Sequence, residues 1–364
     1  MINICVLIRS LAHGGAEKQS LMLTKALKGF ANPHLIILDE QPQHEKHLDY
    51  IKQERLPHHF LRGSMFQKFT ALRTYLRENK VEMMFTYLPS DTIVGGLAGR
   101  LENVPHILGG IRNAELGYTK RKVLHQVYNH CLHYAISNSY VGRDNFIDYG
   151  YDAERLLVMP NGLELDQEKR WRSPKEQLNI ISVGRYVDQK DYETGIKTFK
   201  ALRESLDDPN RVKLQLIGYG ELEADVRQWI TKHELDDAVE MVISPPNLGD
   251  YYANADIYLC TSLVEGLSNS VMEAMSYSLP IVATDAGDNN QLARKGQNGY
   301  ICPIGDVEAL ADALQELVQD DQKREEYGSN SFDIIEENYT YEAFKRNYRE
   351  LVNSLMESSV AVGM

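Results

Sequence analysis

The chain has 364 residues, of which 43% are hydrophobic and 25% are charged, and its formal net charge at pH 7 is −13. This mixture is typical of a soluble globular protein and excludes a disordered or fibrous one. No apolar run approaches the roughly 20 residues that a membrane-spanning helix needs. The length favours two domains of ordinary size over one hydrophobic core.

The charge is unevenly distributed. Residues 1–170 carry 21 Lys and Arg against 18 Asp and Glu, whereas the remainder carries 18 against 34. We expect no nucleic-acid partner, because nucleic-acid-binding domains present a basic surface. The four cysteines form no C-x-x-C pair, and no His/Cys cluster has zinc spacing. We therefore expect no metal site and a cytoplasmic protein with buried thiols.

Short apolar runs alternate along the chain with longer amphipathic segments, which indicates β-α units and parallel sheets. In the first half we predict strands at 2–8, 34–38, 82–88, 106–111, 133–138 and 156–161. In the second half we predict them at 178–184, 213–218, 239–243, 256–261, 280–284 and 299–303. Residues 160–177 are polar and lack apolar periodicity, as expected of a linker.

These elements predict an α/β protein with two Rossmann-like, doubly wound domains that face each other across a cleft. The predicted domains are 1–165 and 166–338. They are followed by a C-terminal helical segment, 339–364, which we expect to pack back on the first domain. Ligands of such sheets bind beyond the carboxyl ends of the strands, so the candidate residues should lie in the loops there.

The first strand is followed by RSLAHGGAEKQSLMLTKAL, in which Gly14 and Gly15 precede an amphipathic helix. A glycine pair in this place lets the backbone approach an anion at the start of the helix. It can equally be a structural turn. The G-x-G-x-x-G pattern of dinucleotide-binding proteins is absent.

The first strand of the second half is followed by a loop with two cations, Arg185 and Lys190. Arginine supplies a bidentate fork and lysine a point charge, a pair that can clamp a diphosphate. Alternatively, the loop is solvated and these cations pair with Asp188 and Asp191.

The stretch EGLSNSVMEAM, residues 265–275, places Glu265 and Glu273 eight positions apart around a predicted helix start. Ser270 and Glu273 form S-x-x-E, which predicts a capping box. Glu265 lies outside that pattern. The backbone N–H groups of 267–270, with the partial positive charge of a helix start, suit a phosphate. A carboxylate on each side then suits hydroxyl groups or a developing positive charge.

This stretch is similar to the E-x7-E signature of the retaining glycosyltransferases of family 4 (glycosyl transferases group 1), which have the GT-B fold. Other segments resemble the family's motifs in the same order: GGAEK, VGRYVDQKDYETGIKTF, IGYGELEADVRQWI, YYANADIYLCTS, and LPIVATDAGDNNQL followed by QNGYIC. The resemblance covers nearly the whole chain and is more specific in the second half.

The resemblance implies that a nucleotide sugar binds mostly on the second domain. Arg185 and Lys190 would hold its diphosphate. The backbone amides of Leu267, Ser268 and Asn269 would also bind the diphosphate.

The resemblance also implies that Glu273 binds the ribose hydroxyls and that Glu265 contacts the donor sugar and stabilises its oxocarbenium-like transition state. Gly15 would let the backbone of the first domain reach the phosphate. The family often has a histidine against the donor sugar at the end of a first-domain strand. In this chain Arg112 or Asn113 stands there instead.

The sequence has no D-x-D metal handle, so fixed cations and N–H dipoles would meet the charge that develops on the leaving diphosphate. We therefore expect no metal in the reaction. The resemblance implies a transferase of hexosyl or N-acetylhexosaminyl groups that needs no cofactor and uses a UDP-linked donor. The E-G-L-x-N form of the motif resembles enzymes that build bacterial surface polysaccharides and lipid-linked oligosaccharides. The expected acceptor is a glycan or a polyprenyl-diphosphate-linked sugar.

Residues 62–80 mix aromatic side chains with five basic ones. A basic, aromatic, amphipathic segment can lie on an anionic leaflet, which would place the protein on the inner face of the membrane. Alternatively, the segment is a helix that packs its apolar face on the sheet.

Four other interpretations stay open. A retaining glycosidase also needs two carboxylates, about 5–5.5 Å apart, but it would leave Arg185, Lys190 and Gly15 without a role. A sugar-nucleotide epimerase can share the GT-B fold. A transferase with a small soluble acceptor and a non-catalytic binding module of this fold are the other two.

Overall fold

The computed structural model describes residues 1–12, 14–112, 118–165, 167–171 and 173–362, with the backbone alone for 118–120 and 358–362. The predicted site residue Asn113 lies outside the described residues. The chain divides into two units, the first formed by Met1–Gly162 with Tyr341–Met364 and the second by Leu163–Thr340. Within the described ranges, no helix has the length and apolar character needed to cross a membrane.

The first unit contains a parallel sheet with strand order β3-β2-β1-β4-β5-β6-β7. Its strands are β1 (Asn3–Ile8), β2 (Asn32–Ile37), β3 (His58–Phe60), β4 (Met83–Thr86), β5 (His106–Ile111), β6 (Tyr134–Ser137) and β7 (Leu156–Val158). Its helices include α1 (Gly15–Leu27), α2 (Glu45–Gln53), α3 (Met65–Glu78), α4 (Pro89–Leu101), α5 (Tyr118–Cys131) and α6 (Tyr140–Asp148). The strand order reverses between β1 and β4, so the loops after these strands diverge and leave a crevice.

The second unit contains a parallel sheet with strand order β10-β9-β8-β11-β12-β13. Its strands are β8 (Leu178–Arg185), β9 (Val212–Tyr219), β10 (Val239–Ile243), β11 (Ile257–Cys260), β12 (Ile281–Thr284) and β13 (Gly299–Cys302). Its helices include α7 (Tyr192–Ser205), α8 (Glu223–Lys232), α9 (Leu248–Asn254), α10 (Asn269–Ser276), α11 (Asn289–Leu292), α12 (Val307–Gln319) and α13 (Asp321–Asn338). Here the order reverses between β8 and β11.

Both sheets are covered on their two faces, which is why their strands are continuous apolar runs rather than alternating ones. Successive side chains of a strand point to opposite faces. In β8, Ile180 belongs to the core on one face and Ile181 to the core on the other. In β1, Val6 and Leu7 are divided in the same way.

Every predicted strand is present within a few residues of its predicted bounds, and β3 is the one that the sequence did not indicate. It is only three residues long and pairs with β2 at the edge of the sheet. The chain passes between the units at Gly162 and Leu163. The last helix, α14 (Tyr341–Val362), packs Phe344, Tyr348 and other apolar side chains into the core of the first unit.

Segment 62–80 contains helix α3, which begins with a capping box between Ser64 and Gln67. Leu72 and Leu76 are buried, as the alternative of a helix packed on the sheet requires. Four of its five basic side chains form ion pairs: Lys68 with Asp39, Arg73 and Arg77 with Glu102, and Arg62 with Glu40. Two large apolar residues, Met65 and Phe66, are 54% and 78% exposed.

Candidate active site

The loops after β8 and β11 are joined at the point where the strand order of the second unit reverses. Thr261 Oγ1 donates hydrogen bonds to the carbonyl oxygens of Lys190, at 3.0 Å, and Asp191, at 2.9 Å. The backbone N–H of Leu263 donates to the carbonyl oxygen of Gln189 at 2.8 Å. These bonds hold the two loops together, so residues from both form one site.

A buried ion pair lies in this site. Lys190 Nζ is 2.5 Å from Oε1 of Glu265, and Ser262 Oγ donates to the same oxygen at 2.7 Å. Glu265 is only 7% exposed. The pairing of Lys190 with Asp188 or Asp191, which the sequence left open, is wrong.

The ion pair fixes the charge of Lys190. Burial by itself lowers the pKa of a lysine, but the attraction of the Glu265 carboxylate and its hydrogen bond outweigh that effect and raise the pKa of Lys190 above its ordinary value. Lys190 is therefore a stable cation at neutral pH. Arg185 ends β8, is exposed, and forms no ion pair with a carboxylate among the described residues.

Asp191 has a separate, structural role in the same loop. Its backbone is in the left-handed region, with φ 44° and ψ 56°, and its side chain accepts a hydrogen bond from the N–H of Thr194. Asp191 thereby caps α7. Its carboxylate therefore interacts with the N-terminus of α7 and not with Lys190.

Helix α10 begins at Asn269, after the N-cap residue Ser268, whose side chain makes no capping hydrogen bond. The predicted capping box of Ser270 and Glu273 is wrong, because Ser270 is already the second residue of the helix. The carboxylate of Glu273 instead accepts a hydrogen bond from the hydroxyl of Tyr252 at 3.3 Å. A helix start without a side-chain cap is suited to an external anion.

A third loop, in the segment LPIVATDAGDNNQL that resembles a family motif, contacts the backbone of Glu265, a contact that the sequence did not predict. Gly287, after β12, has a φ of +58°, and a Cβ added there would lie 2.2 Å from the carbonyl oxygen of Glu265. The N–H of the next residue, Asp288, donates to the carbonyl oxygen of Gly266 at 3.1 Å. A glycine in a loop after a strand was the available signal, but its contact became visible only in the structure.

The second unit thus brings most of the predicted residues to the carboxyl edge of one sheet. They are Arg185, Lys190, Glu265, Leu267, Ser268, Asn269 and Glu273. Leu267 and Ser268 are buried, and Asn269 is exposed. This arrangement can receive an anion between two cations and a helix start, with carboxylates on both sides of that start.

In the first unit, helix α1 begins at Gly15 and has Gly14 as its N-cap residue. The sequence did not single out Glu17, which is buried in the first turn of α1, where burial raises the pKa of its carboxyl group. A Cβ added to Gly14 would lie 2.2 Å from Glu17 Oε2. An anion that reaches Gly15 would therefore meet a carboxylate already at the helix start.

Arg112 follows β5 in the first unit. Its guanidinium lies over the ring of Tyr87, 4.5 Å from the centroid, and its Nη1 donates to Oδ1 of Asn161 at 3.2 Å. Arg112 therefore occupies the carboxyl end of a strand, where the sequence predicted a substrate contact.

Residues 164–333 match the family model described as glycosyl transferases group 1. The chain is 31% identical over 183 residues to the amylovoran biosynthesis glycosyltransferase AmsK of Erwinia amylovora, a match that covers 48% of this chain and 44% of that protein. It is 23% identical over 280 residues to UDP-Gal:alpha-D-GlcNAc-diphosphoundecaprenol alpha-1,3-galactosyltransferase of Escherichia coli, covering 69% of this chain and 70% of that one. The chain spans 40–56% of the length of AmsK and two further curated relatives.

The structure is similar over nearly its whole length to a solved protein. HepE of Anabaena, crystallised in complex with UDP, superimposes with a TM-score of 0.82 at 19% identity, covering 97% of this chain and 100% of that one. Together with the two doubly wound sheets, this similarity confirms the predicted fold. The chain has the GT-B fold, and residues 164–333 of its second unit match the model of glycosyl transferases group 1.

Proposed function

We propose that the protein is a retaining, family 4 glycosyltransferase that transfers a hexosyl or N-acetylhexosaminyl group from a UDP-sugar. One observation carries the proposal: the buried pair of Lys190 and Glu265 lies beside the uncapped start of α10, where the strand order of the second unit reverses. A glycosidase has no need of a cation at this point. The crystallisation of HepE with UDP supports UDP as the nucleotide.

The proposed donor contacts follow from the charges of the site. Arg185 is exposed and forms no ion pair with a described residue, so its guanidinium can bind the diphosphate without breaking an existing pair. Lys190 adds a second positive charge, held in place by Glu265. The backbone amides of 267–269 complete the anion site, and Glu273 binds the ribose. Gly15 of the first unit is proposed to contact the phosphate.

Glu265 is proposed to stabilise positive charge on the donor sugar. Lys190 and Ser262 both donate to its Oε1, whereas its Oε2 accepts no hydrogen bond from the described residues. The carboxylate is therefore oriented and buried, with one oxygen available to a sugar hydroxyl or to an oxocarbenium-like centre. Preorganised groups of this kind contribute on the order of 10²–10³ to the rate.

The proposed acceptor is a glycan or a lipid-linked sugar diphosphate of a bacterial surface polysaccharide pathway. The names of AmsK and of the Escherichia coli relative, which acts on a diphosphoundecaprenol-linked sugar, support it. Metal independence belongs to the same proposal and is supported by the absence of D-x-D from the sequence. Contact with the inner face of the membrane is proposed through the exposed residues Met65 and Phe66 at the start of α3.

The test is hydrolysis and transfer across a panel of UDP-, GDP- and ADP-sugars, with and without a chelator. The wild type is compared with Glu265→Ala and Arg185→Ala. We expect turnover of one UDP-sugar, unaffected by the chelator and lost in both variants. If no sugar nucleotide is bound or turned over, even with crude lipid-linked acceptors, a non-catalytic binding role replaces the transferase.

A further inference from the structure

A closed ring of contacts in the first unit holds the Arg112 side chain. The hydroxyl of Tyr87 donates to the backbone oxygen of Gln19 at 3.1 Å, and the ring of Tyr87 lies under the Arg112 guanidinium. Arg112 donates to Asn161, the neighbour of Gly162. The side-chain amide of Gln19 closes the ring, because it donates to the Gly162 oxygen at 2.8 Å and accepts from the Gly162 N–H at 3.0 Å.

The ring joins four parts of the chain that are distant in sequence: α1, the ends of β4 and β5, and the segment after β7. Gln19, Tyr87 and Asn161 are at most 4% exposed. Buried polar networks of this kind rigidify the groups that they connect. The direction of the Arg112 guanidinium is therefore fixed by residues that do not neutralise it.

The positive charge of Arg112 is not matched within the described residues, where it forms no ion pair with a carboxylate. Its Nε is shielded from solvent, and the hydroxyl of Tyr348, which interacts with the guanidinium, supplies no negative charge. Two buried phenols beside it, Tyr87 and Tyr348, stay neutral, because burial raises their pKa although the guanidinium opposes that shift. A half-buried cation that no described carboxylate neutralises is unfavourable, and an anionic ligand would offset that cost.

We propose that Arg112 is the receptor for a second oxyanion of the substrate, separate from the donor diphosphate at Arg185 and Lys190. The oxyanion is a phosphate of a lipid-diphosphate acceptor or a carboxylate of an acidic donor sugar. Gln19, Tyr87 and Asn161 are its positioning residues. The inference rests on the proposed function for the identity of the substrate, but the oxyanion site can be tested without any transfer reaction.

The first experiment is residue-resolved protection from phenylglyoxal, which modifies arginine side chains, followed by peptide mass spectrometry of the full-length chain. The probes are UDP, UDP-glucose, UDP-glucuronate and farnesyl diphosphate, with farnesol as the uncharged control. Arg185 reports the proposed donor site in the same sample. Arg143 is the matched control, since its guanidinium also lies over a tyrosine ring but is paired with Asp144.

We expect UDP to protect Arg185 and not Arg112. Protection of Arg112 by farnesyl diphosphate but not farnesol identifies the acceptor diphosphate, whereas protection by UDP-glucuronate but not UDP-glucose identifies a sugar carboxylate. If UDP protects Arg185 and no probe protects Arg112, the inference is overturned and the proposed function stands. If UDP does not protect Arg185 but farnesyl diphosphate protects Arg112, the proposed function fails and the oxyanion site stands.

Calorimetric titration gives a second measurement that does not depend on the reactivity of Arg112. Wild type, Arg112→Gln, Arg112→Lys and Arg143→Gln are titrated with farnesyl diphosphate and with UDP-glucuronate, after circular dichroism has confirmed that each is folded. We expect Arg112→Gln to weaken binding of one probe by about 10- to 100-fold, as for a charged hydrogen bond. We expect Arg112→Lys to retain part of that affinity and Arg143→Gln all of it. Equal affinities in wild type and Arg112→Gln for both probes would overturn the proposal.

Discussion

The ammonium nitrogen of Lys190 lies 2.5 Å from Oε1 of Glu265, although the two residues are 75 positions apart in the sequence. The resemblance to family 4 assigned one residue to the donor diphosphate and the other to the donor sugar. In the structure Lys190 and Glu265 also form an ion pair with each other. If the proposed donor site is correct, this pair serves both stability and donor binding. The two effects can be separated by comparing removal of Lys190 with removal of Arg185.

Replacement of Lys190 by methionine should destabilise the second unit. It leaves the buried Glu265 carboxylate without its counter-charge, which typically costs about 3–5 kcal/mol of unfolding free energy. Both tryptophans, Trp171 and Trp229, lie in this unit, so urea unfolding followed by tryptophan fluorescence reports on it. The double variant Lys190→Met/Glu265→Gln should lose less unfolding free energy than the sum of the losses in the two single variants.

The control for this pair is Lys197→Met, which breaks an exposed pair with Glu193 one helical turn away. Exposed pairs contribute about 0–1 kcal/mol. Equal destabilisation by the two lysine substitutions would contradict a buried, structurally important pair.

Replacement of Arg185 by glutamine should weaken UDP binding and leave the stability of the fold nearly unchanged. The side chain is exposed and forms no ion pair among the described residues, so the thermal midpoint should stay close to that of the wild type. Loss of a charged hydrogen bond should weaken UDP binding by about 10- to 100-fold in calorimetric titration. Unchanged UDP affinity in a folded variant would remove Arg185 from the proposed diphosphate site.

Gly287→Ala should disturb the site through the backbone of Glu265. The φ of +58° disfavours alanine, and its Cβ would lie 2.2 Å from the Glu265 oxygen. Gly296 is the matched control, because its φ is +75° but a Cβ there meets nothing within 4 Å. Thermal unfolding should show that Gly287→Ala costs roughly 1–3 kcal/mol more than Gly296→Ala. Similar midpoints for the two variants would show that the Gly287 loop can move without cost.

Asp91 should make the stability of the first unit depend on pH. It is fully buried in α4, accepts hydrogen bonds from the N–H of Leu88 and the hydroxyl of Ser90, and burial raises its pKa from 3.8 to about 7. Between these values the folded unit keeps a proton that the unfolded chain has released. The wild type should therefore lose stability relative to Asp91→Asn as the pH rises from about 4 to 7, and change little above that.

The measurement for Asp91 is the thermal midpoint of both proteins by circular dichroism at each pH. The difference between wild type and Asp91→Asn isolates this carboxyl group, since all other titrating groups are shared. A difference that is constant from pH 4 to 8 would mean that the buried carboxyl group has an ordinary pKa.

Membrane contact through α3 should depend on its exposed apolar residues rather than on its arginines. Arg73 and Arg77 share the carboxylate of Glu102, which neutralises half of their positive charge and reduces their attraction to lipid headgroups. Met65→Ser/Phe66→Ser should lower co-sedimentation with anionic vesicles, and Arg73→Gln/Arg77→Gln should change it less. A larger loss of co-sedimentation in the arginine variant than in the serine variant would support the electrostatic explanation instead. If the wild type does not co-sediment with vesicles, membrane contact through α3 is excluded.

Local patterns in the sequence determined most of the fold. Buried parallel strands are continuous apolar runs, so the strands from β1 to β13 could be placed, with the exception of the three-residue edge strand β3. The stretch 265–275 identified a helix start between two carboxylates. It did not fix the first residue of that helix, because Ser268 and Ser270 are both acceptable N-cap residues and only the packing of α10 selects between them.

The sequence by itself also determined the candidate cations and carboxylates, since their chemistry depends on residue type and on position after a strand. Only the tertiary structure decided their partners. Glu265 meets Lys190 because β11 lies beside β8 in the sheet, and Gly287 supports Glu265 because β12 follows β11 there. Arg112 is held by Gln19 and Asn161 through contacts between distant segments. Such pairings depend on strand order and on loop packing, which no local pattern of residues encodes.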